Sequence, residues 1–232
     1  MGKYIFFSIF CFLTILLSSC NNSDEIPTRI LPFEDSLDEW PLKQENQWIF
    51  YRDTLTDTLR IDTSFVYNNF EVFKSKGIKS LLLPSYFNKD SLSSYFTKQD
   101  SIFKIQIPAS SFLENNVYME LSDVSIPIYK QNLEVNKNYT GFTQFTITEN
   151  GVTEQIQLDF DVKVLEKNSR EAIGGRVFQN ITKIENSYSF TPSTSINNFT
   201  LSIWLEPGIG PVKIVKNNQE SIYLLKSYQI IQ

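Results

Sequence analysis

The clearest pattern in the chain is a two-residue alternation. Ile156, Leu158, Phe160, Val162 and Val164 share one parity, while Gln157, Asp159, Asp161 and Lys163 share the other. Successive side chains of a strand point to opposite faces, so this segment predicts a half-buried strand with a fixed core side. Each apolar side chain contributes about 1.5–3 kcal/mol on burial, and a slip of one residue would forfeit them all. Upstream, Phe142-Thr143-Gln144-Phe145-Thr146-Ile147 reads as a second strand, joined to the first through Glu149-Asn150-Gly151-Val152. Asn-Gly accepts the two positive φ angles of a type I′ turn, so the pair predicts a hairpin.

Shorter runs extend the pattern. Trp48–Arg52, Leu59–Tyr67, Glu71–Lys74, Ser80–Leu83, Ile102–Ile107 and Val117–Ser122 read as strands. So do Val177–Ile184, Asn198–Leu205, Val212–Val215 and Ser221–Ile230, with Lys216-Asn217-Asn218-Gln219 as the turn of another hairpin. Ser85 to Gln99 is ambiguous, with Asp90–Phe96 able to form a short helix, and Lys167–Arg170 reads as a turn or short helical connection. Strand following strand predicts an all-β, mainly antiparallel architecture: a curved sheet, half-barrel or barrel with at most one or two short helices. Composition agrees, because Ala109 and Ala172 are the only alanines while β-branched and aromatic residues abound.

The first twenty residues break the pattern. Met1-Gly2-Lys3 is followed by an apolar run from Tyr4 to Leu17, which ends in Ser18-Ser19-Cys20. A spanning helix needs about 20 apolar residues, and this run is shorter. A charged start, a short apolar middle and small residues before a cut site make a secretory signal. Leu17-Ser18-Ser19-Cys20 resembles the lipobox of bacterial lipoproteins. The resemblance implies cleavage before Cys20, a diacylglyceryl group on its thiol and acylation of the new amine. Each buried methylene contributes about 0.8 kcal/mol, so several chains hold far more firmly than one. An uncleaved anchor and an ordinary signal are the alternatives.

Asn21 stands where enterobacterial lipoproteins retained in the inner membrane carry Asp, which implies the outer membrane of a bacterial envelope. Asp24-Glu25 loosely resembles the acidic stretch of surface-displayed lipoproteins of Bacteroidetes, and the periplasmic and surface faces both stay open. The expected organisation is a signal over 1–19, the lipidated Cys20 with a flexible tether over 20–39, and a single β-rich domain over 40–232. The tether carries Pro27, Pro32 and an acidic cluster, and stretches to about 60 Å.

Cysteine and histidine usage narrows the chemistry. Cys11 lies in the signal, Cys20 is the lipid site, and there is no histidine. The folded part therefore lacks thiol and imidazole. Ser-His-Asp and Cys-His nucleophiles, Cys/His zinc sites, haem on His or Cys, and Fe–S clusters are all excluded. Carboxylate chemistry, Tyr/Lys/Ser chemistry and oxygen-ligand metals survive. Without Lys3 the mature chain carries 20 basic and 26 acidic residues, and no Lys/Arg cluster exceeds two, so nucleic acid is not an expected partner.

Few constellations remain. Asp159 and Asp161 lie about 7 Å apart on one strand face, near the ~5–5.5 Å of a retaining glycosidase but equally typical of a solvated face. Asp53, Asp57 and Asp62 suggest calcium, without an Asp-x-Asp-x-Asp-Gly loop. Gly208-Ile209-Gly210 lacks the Lys-Ser/Thr of a phosphate loop and reads as a turn or bulge. Trp40, Trp48 and Trp204 form either a sugar-stacking platform or core. No catalytic residue, metal site or cofactor is expected.

Pro41-Leu42-Lys43-Gln44-Glu45-Asn46-Gln47-Trp48 and Trp204-Leu205-Glu206-Pro207-Gly208-Ile209-Gly210-Pro211-Val212-Lys213 carry a second resemblance. They are similar to the "PLKxGNxW" opening and "PGxGxVK" closing segments of secreted proteins and lipoproteins, many from Bacteroidetes. Glu45 stands where that opening carries Gly, and Ile126-Pro127-Ile128 resembles the start of a mid-chain strand in such proteins. The resemblance implies a fold of the lipoprotein-carrier type, a curved antiparallel sheet around an apolar hollow, and brings no catalytic residues. The expectation is a membrane-tethered, non-enzymatic component that binds a hydrophobic or polymeric ligand, or a partner protein, on the concave sheet. An accessory glycan-binding lipoprotein of nutrient uptake ranks second, and a carboxylate-only hydrolase last.

Overall fold

The computed structural model describes residues 38–67, 70–114, 116–192, 196–217 and 220–231. The expected signal, Cys20 and positions 21–37 of the tether lie outside the described residues. In chain order the strands are β1 (Gln47–Arg52), β2 (Leu55–Tyr67), β3 (Phe70–Lys76), β4 (Tyr95–Gln99) and β5 (Ile102–Ile107). Next come β6 (Ser110–Glu114), β7 (Val117–Leu121), β8 (Val124–Lys130), β9 (Asn138–Glu149) and β10 (Val152–Ile173). The series ends with β11 (Arg176–Thr191), β12 (Phe199–Glu206), β13 (Gly210–Lys216) and β14 (Ser221–Gln229). A helix, α1 (Ile78–Leu82), and a 3-10 turn (Ser85–Phe87) lie between β3 and β4.

The expected all-β, antiparallel architecture holds: the strands form one curved, unclosed sheet in the order β6-β7-β9-β10-β11-β12-β13-β14-β1-β2-β3-β4-β5-β8. Val152 pairs with Glu149, and Asn150 and Gly151 sit at φ 50 and 80, the two positive angles of the expected turn. The whole set Ile156, Leu158, Phe160, Val162 and Val164 is buried, which fixes the register.

The sheet's two edges come from one bent hairpin. β5 leads into β6 through Pro108-Ala109, and β7 into β8 through Ser122-Asp123. The β5–β8 half pairs with β4, while the β6–β7 half pairs with β9. The Ala109 N–H donates to Asp123 Oδ1 (2.7 Å) at this corner, and the Thr146 N–H donates to Ser122 Oγ (2.8 Å). The free edge of β8 meets side chains of β11 instead of a ladder. Asn186 Nδ2 donates to the Ile128 carbonyl (2.9 Å), and the Tyr188 hydroxyl to the Pro127 carbonyl (2.7 Å). Burial pushes the Tyr188 hydroxyl well above its ordinary pKa, so it stays a neutral donor to an edge that would otherwise be bare.

Several expectations are corrected. Ser80–Leu83 is not a strand: its residues belong to the end of α1 and the residue that caps it. Asp90–Phe96 is not a helix, because Asp90-Ser91 form a turn and β4 begins at Tyr95. β6, absent from the expected set, is a short edge strand. Lys167–Arg170 does not end the strand either. β10 continues through it with register slips between Val164 and Glu166, Glu166 and Ser169, and Ser169 and Glu171, and with Asn168 at φ 55. Such bulges bend a strand, and the far end of the β10–β11 hairpin lies against the outer face of the sheet. There Trp204 Nε1 donates to Glu171 Oε1 (3.1 Å), Arg176 Nη2 donates to the Lys226 carbonyl (2.8 Å), and Ile173 and Phe178 are buried. Glu206 accepts from the Gln179 N–H (3.4 Å), and burial pushes its carboxyl up to about 7.

Candidate functional site: the mouth of a filled sheet

The two motif segments meet in space at one end of the inner face. Gly210, at φ 95, passes so close to the indoles that a Cβ there would lie 3.2 Å from Trp40 Cδ1 and 3.2 Å from Trp48 Nε1. Trp48 Nε1 donates to the Ile209 carbonyl (2.5 Å). Asn46, fully buried, donates from Nδ2 to the Pro41 carbonyl (2.6 Å) and accepts at Oδ1 from the Ile231 N–H (2.7 Å). Glu45 sits at φ 71, a left-handed conformation that Gly adopts without a Cβ penalty. Trp40 packs on Phe96 and Phe103, with ring centroids 4.9 and 6.2 Å away. These contacts hold residues 40–48 against Ile209, Gly210 and Ile231, which is a structural role.

The segment between β3 and β4 fills the middle of the inner face. Ile78, Leu81, Leu82, Leu83, Phe87 and Leu92 are all buried. Gly77, at φ 78, starts α1 against β2, where a Cβ would fall within 1.8 Å of the Thr58 carbonyl oxygen. Phe87 reaches Phe145 on β9 and Phe190 on β11, at 6.1 and 6.4 Å between centroids. Lys79 Nζ donates to the carbonyls of Lys89 and Leu92, tying the segment to itself. Among the described residues, the middle of the expected apolar hollow is therefore occupied by the chain's own side chains.

At the other end the inward columns turn polar. On β1 the column reads Trp48, Phe50, Arg52, and on β13 it reads Val212, Ile214, Lys216. Cross-strand pairing places Asp57 opposite Phe50 and Tyr223 opposite Ile214, so both share that face. With Tyr86 and Lys89 from the filling segment, these groups line a cleft of about 670 Å³. Lys216 Nζ donates to the carbonyls of Ser80 (2.7 Å) and Leu83 (2.8 Å), satisfying the C-terminal end of α1. Burial, and then the charge of Arg52, lower the Lys216 ammonium to about 8, with Asp57 acting in the opposite direction. The Arg52 guanidinium lies 5.3 Å over the Tyr223 ring. Asn197 and Asn198 add neutral amides at the rim.

The residues singled out from sequence lie elsewhere, apart from Asp57. Asp159 and Asp161 stay on the outer face, accepting from Gln157 Nε2 and Asn138 Nδ2 (both 2.9 Å). Asp62 lies 3.5 Å from Arg60 and 3.9 Å from Lys76. Among the described residues no three of His, Cys, Asp and Glu come together as a metal site, so Asp53, Asp57 and Asp62 do not converge. Gly208 and Gly210 adopt φ 77 and 95 in a turn, as expected. Trp40 and Trp48 are 0% exposed and Trp204 is 7% exposed, beneath the Lys183 and Lys213 ammonium groups, so the tryptophans form no stacking platform. Sequence reasoning missed Arg52 and Lys216. The signal was present, because each shares the parity of the buried positions before it.

No protein-family model matches the chain, and no curated protein matches it. Among solved structures it is similar to an exported protein of Bacteroides fragilis described as having a YmcC-like fold. That similarity has 11% identity and a TM-score of 0.47, over 84% of this chain and 100% of the other. It is also similar to a lipoprotein of Parabacteroides distasonis, with 10% identity and a TM-score of 0.41 over 84% of this chain and 100% of that one.

Proposed function

We propose that this protein is a lipid-anchored, non-enzymatic component of a bacterial envelope, held by acyl chains on Cys20, which meets a polar ligand at the mouth of its sheet. One observation carries the binding reading: the inner face is packed with the chain's own side chains, while an open polar cleft of about 670 Å³ remains at its end. Ligand sites are concave and combine a few polar groups with packed walls. Arg52, Lys216 and Tyr223 project from a rigid sheet, which supports recognition more than turnover. Lipid anchoring rests on the lipobox segment, and the acyl chains place the site within reach of the envelope's own components.

The test is an amide-shift titration of the mature, acylated protein in detergent. Neutral oligosaccharides, soluble peptidoglycan fragments and glycerol 3-phosphate serve as probes. Shifts clustered at Ser85–Lys89 and Ile196–Phe199 support the reading. Shifts confined to the outer face of β9–β11 overturn it. Saturable uptake of the neutral dye Nile red would restore the carrier reading instead. Mass spectrometry of the N-terminal peptide tests the anchor separately, since an unmodified peptide running through positions 18–22 would remove it.

A further inference from the structure

The chain is acidic, with 26 Asp and Glu against 21 Lys and Arg, yet its cleft is not. Arg52, Lys89 and Lys216 line it, with Asp57 as the carboxylate facing them. Among the described residues, no carboxylate forms an ion pair with Arg52 or Lys216. Both project from the inner face at the same end of β1 and β13, the two strands that flank β14, and the Arg52 charge disfavours the Lys216 ammonium. Two cations that line one cleft and face a single carboxylate, Asp57, one of them partly buried, form an arrangement that an arriving anion relieves. The lysine cannot swing away, because two of its three N–H donors hold the Ser80 and Leu83 carbonyls. The arginine is steadied on the Tyr223 ring. Neutral amides at Asn197 and Asn198 line the same cleft and suit the oxygens of an anion that is only partly neutralised by cations.

We infer that the cleft binds an anionic group, a phosphate or a carboxylate, with the Arg52 guanidinium as its principal contact and Lys216 as a fixed positive charge behind it. This inference rests on reading the mouth as the binding site and adds the chemistry of its ligand. A planar fork matches either anion with two parallel hydrogen bonds, while a held ammonium supplies charge without a second fork. The anion has two sources in an envelope, a soluble compound or a lipid headgroup, and they share this chemistry.

Calorimetry on the mature, acylated protein in detergent, with glycerol 3-phosphate, tests the soluble source. Co-flotation of the protein with phosphatidylglycerol vesicles, against phosphatidylcholine vesicles, tests the lipid source. The expected result is saturable binding in at least one arm, weakened about tenfold or more by Arg52→Gln and by raised salt. Arg60→Gln, on the outer face beside Asp62, leaves binding unchanged. An NMR titration of the Lys216 side chain supplies a readout that mere folding would not move: its pKa rises when the anion is present. Absence of binding in both arms, or equal loss with Arg60→Gln, overturns the inference. If the anions fail while a neutral oligosaccharide still shifts Ser85–Lys89, the site reading stands and only the anion is lost.

Discussion

The two ends of the inner face are built from the same strands and end in opposite chemistry. At one end Trp48, Gly210 and Trp40 pack so tightly that an added methyl group would lie 3.2 Å from both indoles. Four residues further along β1, and six along β13, the same inward parity delivers Arg52 and Lys216 to the cleft. Strand geometry does not separate core from site here. The identity of the last inward residue does, together with how far the filling segment reaches. One concave surface therefore carries both a plugged core and a charged rim.

Mutations at the packed end should cost much, and mutations at the rim little. Trp48→Ala removes a fully buried indole and its hydrogen bond to the Ile209 carbonyl, and should lower unfolding free energy in urea by about 3–5 kcal/mol. Gly210→Ala should cost about 2–3 kcal/mol by the same measurement, since it combines a φ of 95 with contacts 3.2 Å from both indoles. Glu45→Gly should act in the other direction, raising stability by about 0.5–1 kcal/mol, because Gly accepts φ 71 without a Cβ penalty. Arg52→Gln should change stability by less than about 0.5 kcal/mol, since Arg52 lies at the open rim. A large loss for Arg52→Gln would make the rim part of the core and erase the distinction.

Much of the fold was legible where one physical rule acted alone. The β9–β10 hairpin followed from strict alternation and Asn150-Gly151, and both held. Legibility failed where burial was two-sided or local signals conflicted. Ser80-Leu81-Leu82-Leu83 is a short apolar run, which suits a strand or a buried helix equally, and the surrounding sheet selected the helix. β8 carries Val124, Ile126, Ile128 and Tyr129 buried at both parities, with Pro127 among them, so it shows no alternation. Lys167 to Arg170 is polar throughout and reads as a turn or short helical connection, whereas the strand absorbed it as successive bulges. The cleft was illegible for a different reason. A polar residue at a strand end looks the same whether it faces bulk water or the rim of a pocket, and only the three-dimensional position of α1 and its neighbours decides between them.

The motif segments taught a related lesson. They bring no site residues, and their conformational demands account for them: Gly208 and Gly210 at positive φ, Glu45 in a left-handed turn, and Asn46 bridging Pro41 to Ile231. The binding chemistry proposed for this protein lies at the opposite end, in residues with no motif at all.

Because the folded domain carries no cysteine of its own, single introduced thiols report each position cleanly. Maleimide labelling rates for Phe50→Cys, Ile214→Cys, Arg52→Cys and Asp57→Cys would compare the packed and open parts of one face directly. Rapid labelling at 52 and 57, with protection at 50 and 214 until urea unfolds the domain, is the predicted result. Similar rates at all four positions under native conditions would contradict the account.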